Sequence, residues 1–175
     1  MTIADSGDEY EVRLASPGDI PRLGEIERAA GELFRPTIYS FVAVAEPLDP
    51  KWLLKQQKRK MVWIAVDSTG SAQGFAVVLE LQDSAHLNEL SVHPDHGRRG
   101  LGRRLVQAVC DWASASGYSS VTLSTFRDIS WNAPFYARLG FRIMTELNPE
   151  LATLRSNERS AGLPVEDRVF MRLAL

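Results

Sequence analysis

Three glycines and four arginines crowd one stretch of this 175-residue chain, Gly97-Arg98-Arg99-Gly100-Leu101-Gly102-Arg103-Arg104. Just before it, an apolar strand-like run ends near Val92 and is stopped by Pro94. Just after it, Leu101, Leu105, Val109, Trp112 and Ala113 recur close to helical spacing, and Gly117 stands where a C-terminal cap belongs. The glycines therefore open a helix. Its unpaired N–H groups and the positive end of its dipole make a site for an anion. Gly100 and Gly102 have no Cβ, so a phosphate can come close to the backbone. Arg98, Arg99, Arg103 and Arg104 add positive charge at the same point. The stretch asks for a polyphosphate. No Gly-Lys-Ser/Thr ends it, so it is not a Walker A loop. A dinucleotide fingerprint would need glycine at Leu105.

A strand, a basic Gly-x-Gly turn and a helix together resemble the acetyl-CoA site of the Gcn5-related N-acetyltransferases. The family pattern is Val-x-Pro, then Gln/Arg-x-x-Gly-x-Gly/Ala opening a long helix. Val92-His93-Pro94 and Gly100-Leu101-Gly102 match it, while Gly97 replaces the usual Gln or Arg, and Arg98 stands where glycine is common. A second motif, residues 131–141, is similar to the family's Tyr-x-x-x-Gly-Phe through Tyr136, Gly140 and Phe141, with Asn132 four residues ahead of the tyrosine. The specific resemblance covers residues 85–141. It implies that acetyl-CoA is held by Gly97, Arg98, Arg99, Gly100, Leu101, Gly102 and Arg103. The backbone of Leu90, Ser91 and Val92 would meet the thioester, and Asn132 would reach the pantetheine arm or cap its own helix.

The chemistry so implied is direct acyl transfer to an amine. Tyr136 is the expected general acid, since a phenol of pKa ~10 can protonate a thiolate whose acid has pKa roughly 8.5. The acceptor ammonium must also lose a proton before attack. On the strand before Pro94, alternation puts His86, Asn88, Leu90 and Val92 on one face and Leu87, Glu89 and Ser91 on the other. Several family members carry their base at positions matching His86 or Asn88. His86 is the first candidate and Glu89 the second, should a bulge reverse the alternation. His86, His93 and His96 lack tetrahedral ligand spacing and cysteine support, so no metal is expected.

These groups must be positioned by the remaining elements. Strands are expected over residues 10–14, 61–66, 74–81, 85–92, 120–125, from 141, and 168–173. Helices are expected from the Ser16–Asp19 start to about Gly31, over 100–116 and over 132–139. Residues 52–60 read as a basic helix or loop, and 34–50, broken by Pro36, Pro47 and Pro50, stay ambiguous. The order predicts an α/β (α+β) fold, a central mixed, mostly antiparallel sheet flanked by helices, as in the N-acetyltransferase family. A single domain is expected over 1–175, with 85–141 as its cofactor core.

At 45% hydrophobic, the chain can bury a core without staples. A net charge of −2 and no aromatics among the arginines argue against nucleic acid as a partner. The single cysteine, Cys110, excludes an internal disulfide and reads as a small core residue. Residues 2–9 are polar and acidic and lack the pattern of a signal peptide, and no apolar run is long enough to span a bilayer. The expectation is a cytoplasmic enzyme with no membrane partner, a homodimer being open. Its acceptor would be a small-molecule amine, with a protein amino group as the alternative. The competing class is a CoA-binding module without catalysis.

Overall fold

The computed structural model describes residues 10–175, so the acidic residues 2–9 fall outside it. Its strands are β1 (Tyr10–Leu14), β2 (Val62–Asp67), β3 (Ala72–Glu80), β4 (Ala85–Val92), β5 (Ser120–Phe126), β6 (Arg142–Ile143) and β7 (Arg168–Ala174). Its helices are α1 (Ile20–Gly31), α2 (Pro50–Lys58), α3 (Leu101–Ala115), α4 (Ala133–Arg138) and α5 (Pro149–Ser160). The strands form one mixed seven-stranded sheet, as the sequence predicted, in the order β1-β2-β3-β4-β5-β7-β6, which the sequence left open. Pairing is antiparallel for β1–β2, β2–β3, β5–β7 and β6–β7, and parallel for β4–β5. The parallel register runs over Ala85–Leu87, and β4 continues as strand to Val92.

Packing divides the chain into two compact units. One runs to Val78 and includes Glu89–Val109; the other holds Leu79–Asn88 and Cys110–Leu175. In the first, Ile20, Leu23 and Ile26 line one side of α1 and pack on Val62, Ile64, Val66, Phe75 and Val77. Each such buried side chain stabilises by about 1.5–3 kcal/mol. Leu53 of α2 joins the same core. The start of α1 is held as its sequence indicates. Both the Ser16 N–H and its hydroxyl donate to the Asp19 carboxylate at 2.7 Å, and Arg13 pairs with that carboxylate at 2.9 Å. A short 3-10 turn at Glu32–Phe34 leads into the ambiguous 34–50 segment, which contains a second at Ser40–Val44.

In the second unit, β5 pairs with β7 along seven positions, from Ser120↔Ala174 to Phe126↔Arg168. Two elements there depart from the sequence reading. The strand from Phe141 is only two residues long. Helix α5, which was not anticipated, starts at the Asn148 cap, whose side chain accepts from the Leu151 N–H at 2.9 Å. Leu151 alone in α5 is buried, so the helix has no apolar stripe to read.

Helix α2 ends with a left-handed residue that is not glycine. Lys60 has φ 61°, its N–H donates to Gln57 C=O at 2.9 Å, and the Met61 N–H reaches Gln56 C=O at 3.0 Å. A Cβ in that conformation costs about 1–2 kcal/mol, and glycine is the usual residue there. Lys60→Gly, offset by the extra freedom of glycine in the unfolded chain, should raise stability by about 0.5–1 kcal/mol in thermal or urea denaturation. An unchanged or lower midpoint would show that the Lys60 side chain outweighs the strain.

Candidate active site

The basic turn is built as the glycine spacing requires. A 3-10 turn at Pro94–His96 leaves β4 and ends at Gly97, and α3 begins at Leu101. The first intrahelical bond runs from Arg104 N–H to Gly100 C=O at 3.0 Å, so the N–H groups of Leu101, Gly102 and Arg103 precede the helical ladder. Gly100 has φ +78° and Arg98 φ +59°. Arg98 thus occupies a conformation that favours glycine, the residue common at that place in the family pattern.

Side chains far away in sequence fix the turn. The Tyr10 hydroxyl lies 2.8 Å from His96 Nδ1 and accepts from Arg99 Nη1 at 3.1 Å. The Tyr10 and His96 rings meet edge to face with centroids 5.8 Å apart. The His93 N–H donates to Gln73 C=O at 2.8 Å, tying the start of the turn to β3. Arg99 and His96 are therefore held by β1, and all four arginines, Arg98, Arg99, Arg103 and Arg104, are exposed around the helix start. Tyr10 was not anticipated as a site residue. Its partner is 86 positions away, and nothing local marks the pair.

Glu89 lies on the β4 face shared with Ser91, whose hydroxyl donates to Glu89 Oε1 at 2.7 Å. From α1, Glu27 comes near it. The Leu48 N–H donates to Glu27 Oε2 at 2.9 Å. Burial, and next the charge of Glu89, push the Glu27 carboxyl up to about 7, against the Leu48 N–H and Arg28, which act to lower it. Glu27 also escaped the sequence reading, although a signal existed: it follows Ile20 and Leu23 at i+7 and i+4, so a carboxylate stands on the apolar stripe.

In the second unit, His86 is 5% exposed, with Nδ1 2.9 Å from Thr122 Oγ1 and its ring beside Phe170. Burial, with the nearby Arg168 charge, lowers it to about 4, so the ring is neutral at physiological pH. Tyr136 is buried in α4. The Gly140 N–H donates to Ala137 C=O at 3.0 Å and the Phe141 N–H to Tyr136 C=O at 3.1 Å. With Gly140 at φ +97° this is a Schellman cap, and the Tyr136–Phe141 ring pair at 5.7 Å is its apolar contact. The Tyr-x-x-x-Gly-Phe spacing is thus the spacing of a helix stop that fixes the tyrosine ring. Asn132 takes the N-cap position of α4, but its side chain makes no capping hydrogen bond. Cys110 is buried, which pushes its thiol up to about 11 and leaves it protonated. Among the described residues, no group of three or more His, Cys, Asp or Glu is arranged to hold a metal.

Comparison with known proteins identifies the family. Residues 27–141 match the family model described as Acetyltransferase (GNAT) family. The [ribosomal protein bS18]-alanine N-acetyltransferase of Escherichia coli (strain K12) is 26% identical over 133 residues, which is 76% of this chain and 84% of that protein. Its counterpart from Salmonella typhimurium is 24% identical over 164 residues, 94% of this chain and 97% of the relative. Among solved structures, the PaiA N-acetyltransferase of Thermoplasma acidophilum in complex with coenzyme A superposes with a TM-score of 0.75 at 18% identity, covering 95% of this chain and 99% of that one. The N-acetylglutamate synthase of Neisseria gonorrhoeae, complexed with coenzyme A and N-acetyl-glutamate, gives 0.71 at 20% identity over 95% of this chain and 35% of its own. The chain belongs to the acetyltransferase (GNAT) family and is an N-acetyltransferase that draws on acetyl-CoA.

Proposed function

We propose that the protein transfers the acetyl group of acetyl-CoA to a small primary amine by direct attack, without an acyl-enzyme. The observation that carries this is the strand-to-helix turn, where the N–H groups of Leu101, Gly102 and Arg103 stand ahead of the first helical bond and arginines surround them. That arrangement suits a pyrophosphate, with Gly97, Arg98, Arg99, Gly100, Leu101, Gly102 and Arg103 as the residues that hold it. Beyond the residues it pairs with β5, β4 would offer the backbone of Leu90, Ser91 and Val92 to the thioester, polarising its carbonyl. Asn132, its side chain not spent on a cap, would reach the pantetheine arm. The protonated thiol of Cys110 supports direct attack over a covalent relay.

Two groups move protons in this scheme. Tyr136 gives its proton to the departing CoA sulfur. On β4, the surroundings favour Glu89 as the residue that meets the acceptor's ammonium. A neutral His86 bonded to Thr122 suits polar packing better than proton removal. The whole chain would act as one catalytic domain with residues 85–141 as its cofactor core. We place the reaction in the cytoplasm, given one cysteine and, among the described residues, no helix long and apolar enough to cross a membrane. Nucleic acid is not among the proposed partners, and a homodimer is compatible with the scheme. A second acceptor class, the amino group of a polypeptide, is favoured by the relatives named for a ribosomal-protein alanine.

The test offers acetyl-CoA with tyramine, spermidine and an alanine-initiated peptide, and follows release of the CoA thiol. Turnover of an amine supports transfer, and the preferred acceptor decides between small molecule and polypeptide. CoA binding without thiol release from any of them would favour the non-catalytic module. Gly102→Val, which sets a branched side chain at the helix start, should abolish CoA binding in calorimetry while leaving the circular dichroism unchanged. Tyr136→Phe keeps the ring pair with Phe141 but lacks the proton donor. Its single-turnover rate should drop by ~10²–10⁴-fold, with CoA affinity nearly constant. A wild-type rate would remove Tyr136 from the chemistry.

A further inference from the structure

The acceptor amine arrives as an ammonium, and Glu89 alone is a poor agent for deprotonating it. An ordinary carboxylate has its pKa far below that of an alkyl ammonium. The unit that carries the cofactor turn supplies a second carboxylate beside it. Glu27 projects from the later turns of α1, half-buried, with one oxygen fixed by the Leu48 N–H at 2.9 Å. Glu89, on β4 of the same unit, acts on it through its charge and has one oxygen held by the Ser91 hydroxyl at 2.7 Å. Three residues after Glu89 comes Val92, where the Val-x-Pro motif begins. The two carboxylates are anchored by different donors on different elements, so neither can swing away to relieve their repulsion. Glu89 from β4 and Arg28 from α1 are the charges that act on Glu27, and the segment ahead of α2 contributes only the Leu48 N–H.

We propose that Glu27 is the proton acceptor for the amine, with Glu89 holding the ammonium beside it, so that the acceptor is a primary amine that enters as a cation. This rests on the acetyl-transfer reading above. Glu27 takes one proton from the ammonium. The freed nitrogen pair forms the C–N bond, and the C–S bond breaks with its electrons on sulfur. Tyr136 protonates that sulfur and recovers a proton from the second one the nitrogen loses, while Glu27 releases its own to solvent. The products are the acetamide, CoA thiol and one proton. Burial and the Glu89 charge serve this step directly, because a carboxyl raised to about 7 is a stronger base than an ordinary one and is still largely ionised just above neutrality.

Glu27→Gln tests this, since the amide keeps the shape and can still accept from the Leu48 N–H. The reading is kcat/KM from pH 5.5 to 9.5 with whichever of tyramine, spermidine and the alanine-initiated peptide wild type uses best, alongside CoA calorimetry. In wild type, kcat/KM should rise tenfold per pH unit below about 7, as Glu27 ionises, and then level off. In Glu27→Gln it should be ~10²–10⁴-fold lower at pH 7.5 and keep climbing to the top of the range, tracking free amine, with CoA affinity unchanged. Glu27→Asp should keep the plateau. A Glu27→Gln profile that levels off like wild type, at intact turnover, overturns the proposal and leaves acetyl transfer standing. Loss of CoA binding in Glu27→Gln, with Glu27→Asp equally inactive, would make Glu27 a structural residue and also overturn it. A wild-type chain that binds CoA but acetylates none of the three amines removes the acetyl-transfer reading and this proposal with it.

Discussion

The N–H groups of Leu101, Gly102 and Arg103 are useful to a phosphate only while the protein leaves them unbonded, so the turn that presents them must be held by something else. The holding comes from a side chain and a backbone carbonyl on other strands. Tyr10 of β1 bonds both His96 and Arg99, and Gln73 of β3 accepts the His93 N–H. The aromatic body of Tyr10 is buried while its hydroxyl joins two polar groups, so apolar packing and hydrogen bonding fix the same point. One consequence is a division among the arginines. Arg99 supports the turn through Tyr10, though it is exposed at the helix start like Arg98, Arg103 and Arg104.

Holding the turn open has a cost in backbone strain, and Arg98 carries it. A non-glycine residue at φ +59° is disfavoured by about 1–2 kcal/mol, more than a surface salt bridge returns. Lys60 shows the same conformation where it merely ends a helix, and there glycine would serve as well or better. At Arg98 a glycine would relieve the strain but remove a guanidinium from the helix start. On the proposed phosphate-binding role of the turn, the departure from the family pattern at this position exchanges strain for charge.

What could be read from the sequence follows the range of the interactions. Strand β4 was legible residue by residue and α3 to within one residue at either end, because each carries its own period and its own breakers, Pro94 and Gly117. The cap that fixes Tyr136 was visible as a motif, since all its hydrogen bonds lie within residues 136–141. Helix α5 was not, because it buries a single leucine. The partition into two units, which runs through β3, β4 and α3, leaves no mark in composition. Burial of His86 was hidden by alternation: the pattern assigned it a face but not the Thr122 and Phe170 that cover it. Tyr10 and Glu27 depend on contacts across many positions and were missed for the same reason.

Glu27 illustrates how a site residue can be recognised by what it does to stability. Its carboxyl binds a proton more tightly in the folded protein than in the unfolded chain, because burial and Glu89 both disfavour the ionised form. The sign of the linkage follows. Whatever stability the protonated group contributes is fully present below the ordinary carboxylate range and is lost as pH rises through about 7. At neutral pH and above, the fold therefore tolerates an ionised carboxylate on α1, one turn beyond Leu23 and next to Ile26, where an apolar residue or a glutamine would be less costly. The opposite case is Asp19, at the other end of the same helix, whose ion pair with Arg13 and bonds from Ser16 hold its carboxyl below the usual range and stabilise the helix start. One acid of α1 supports the fold; the other is kept against it, under the charge of Glu89 on β4.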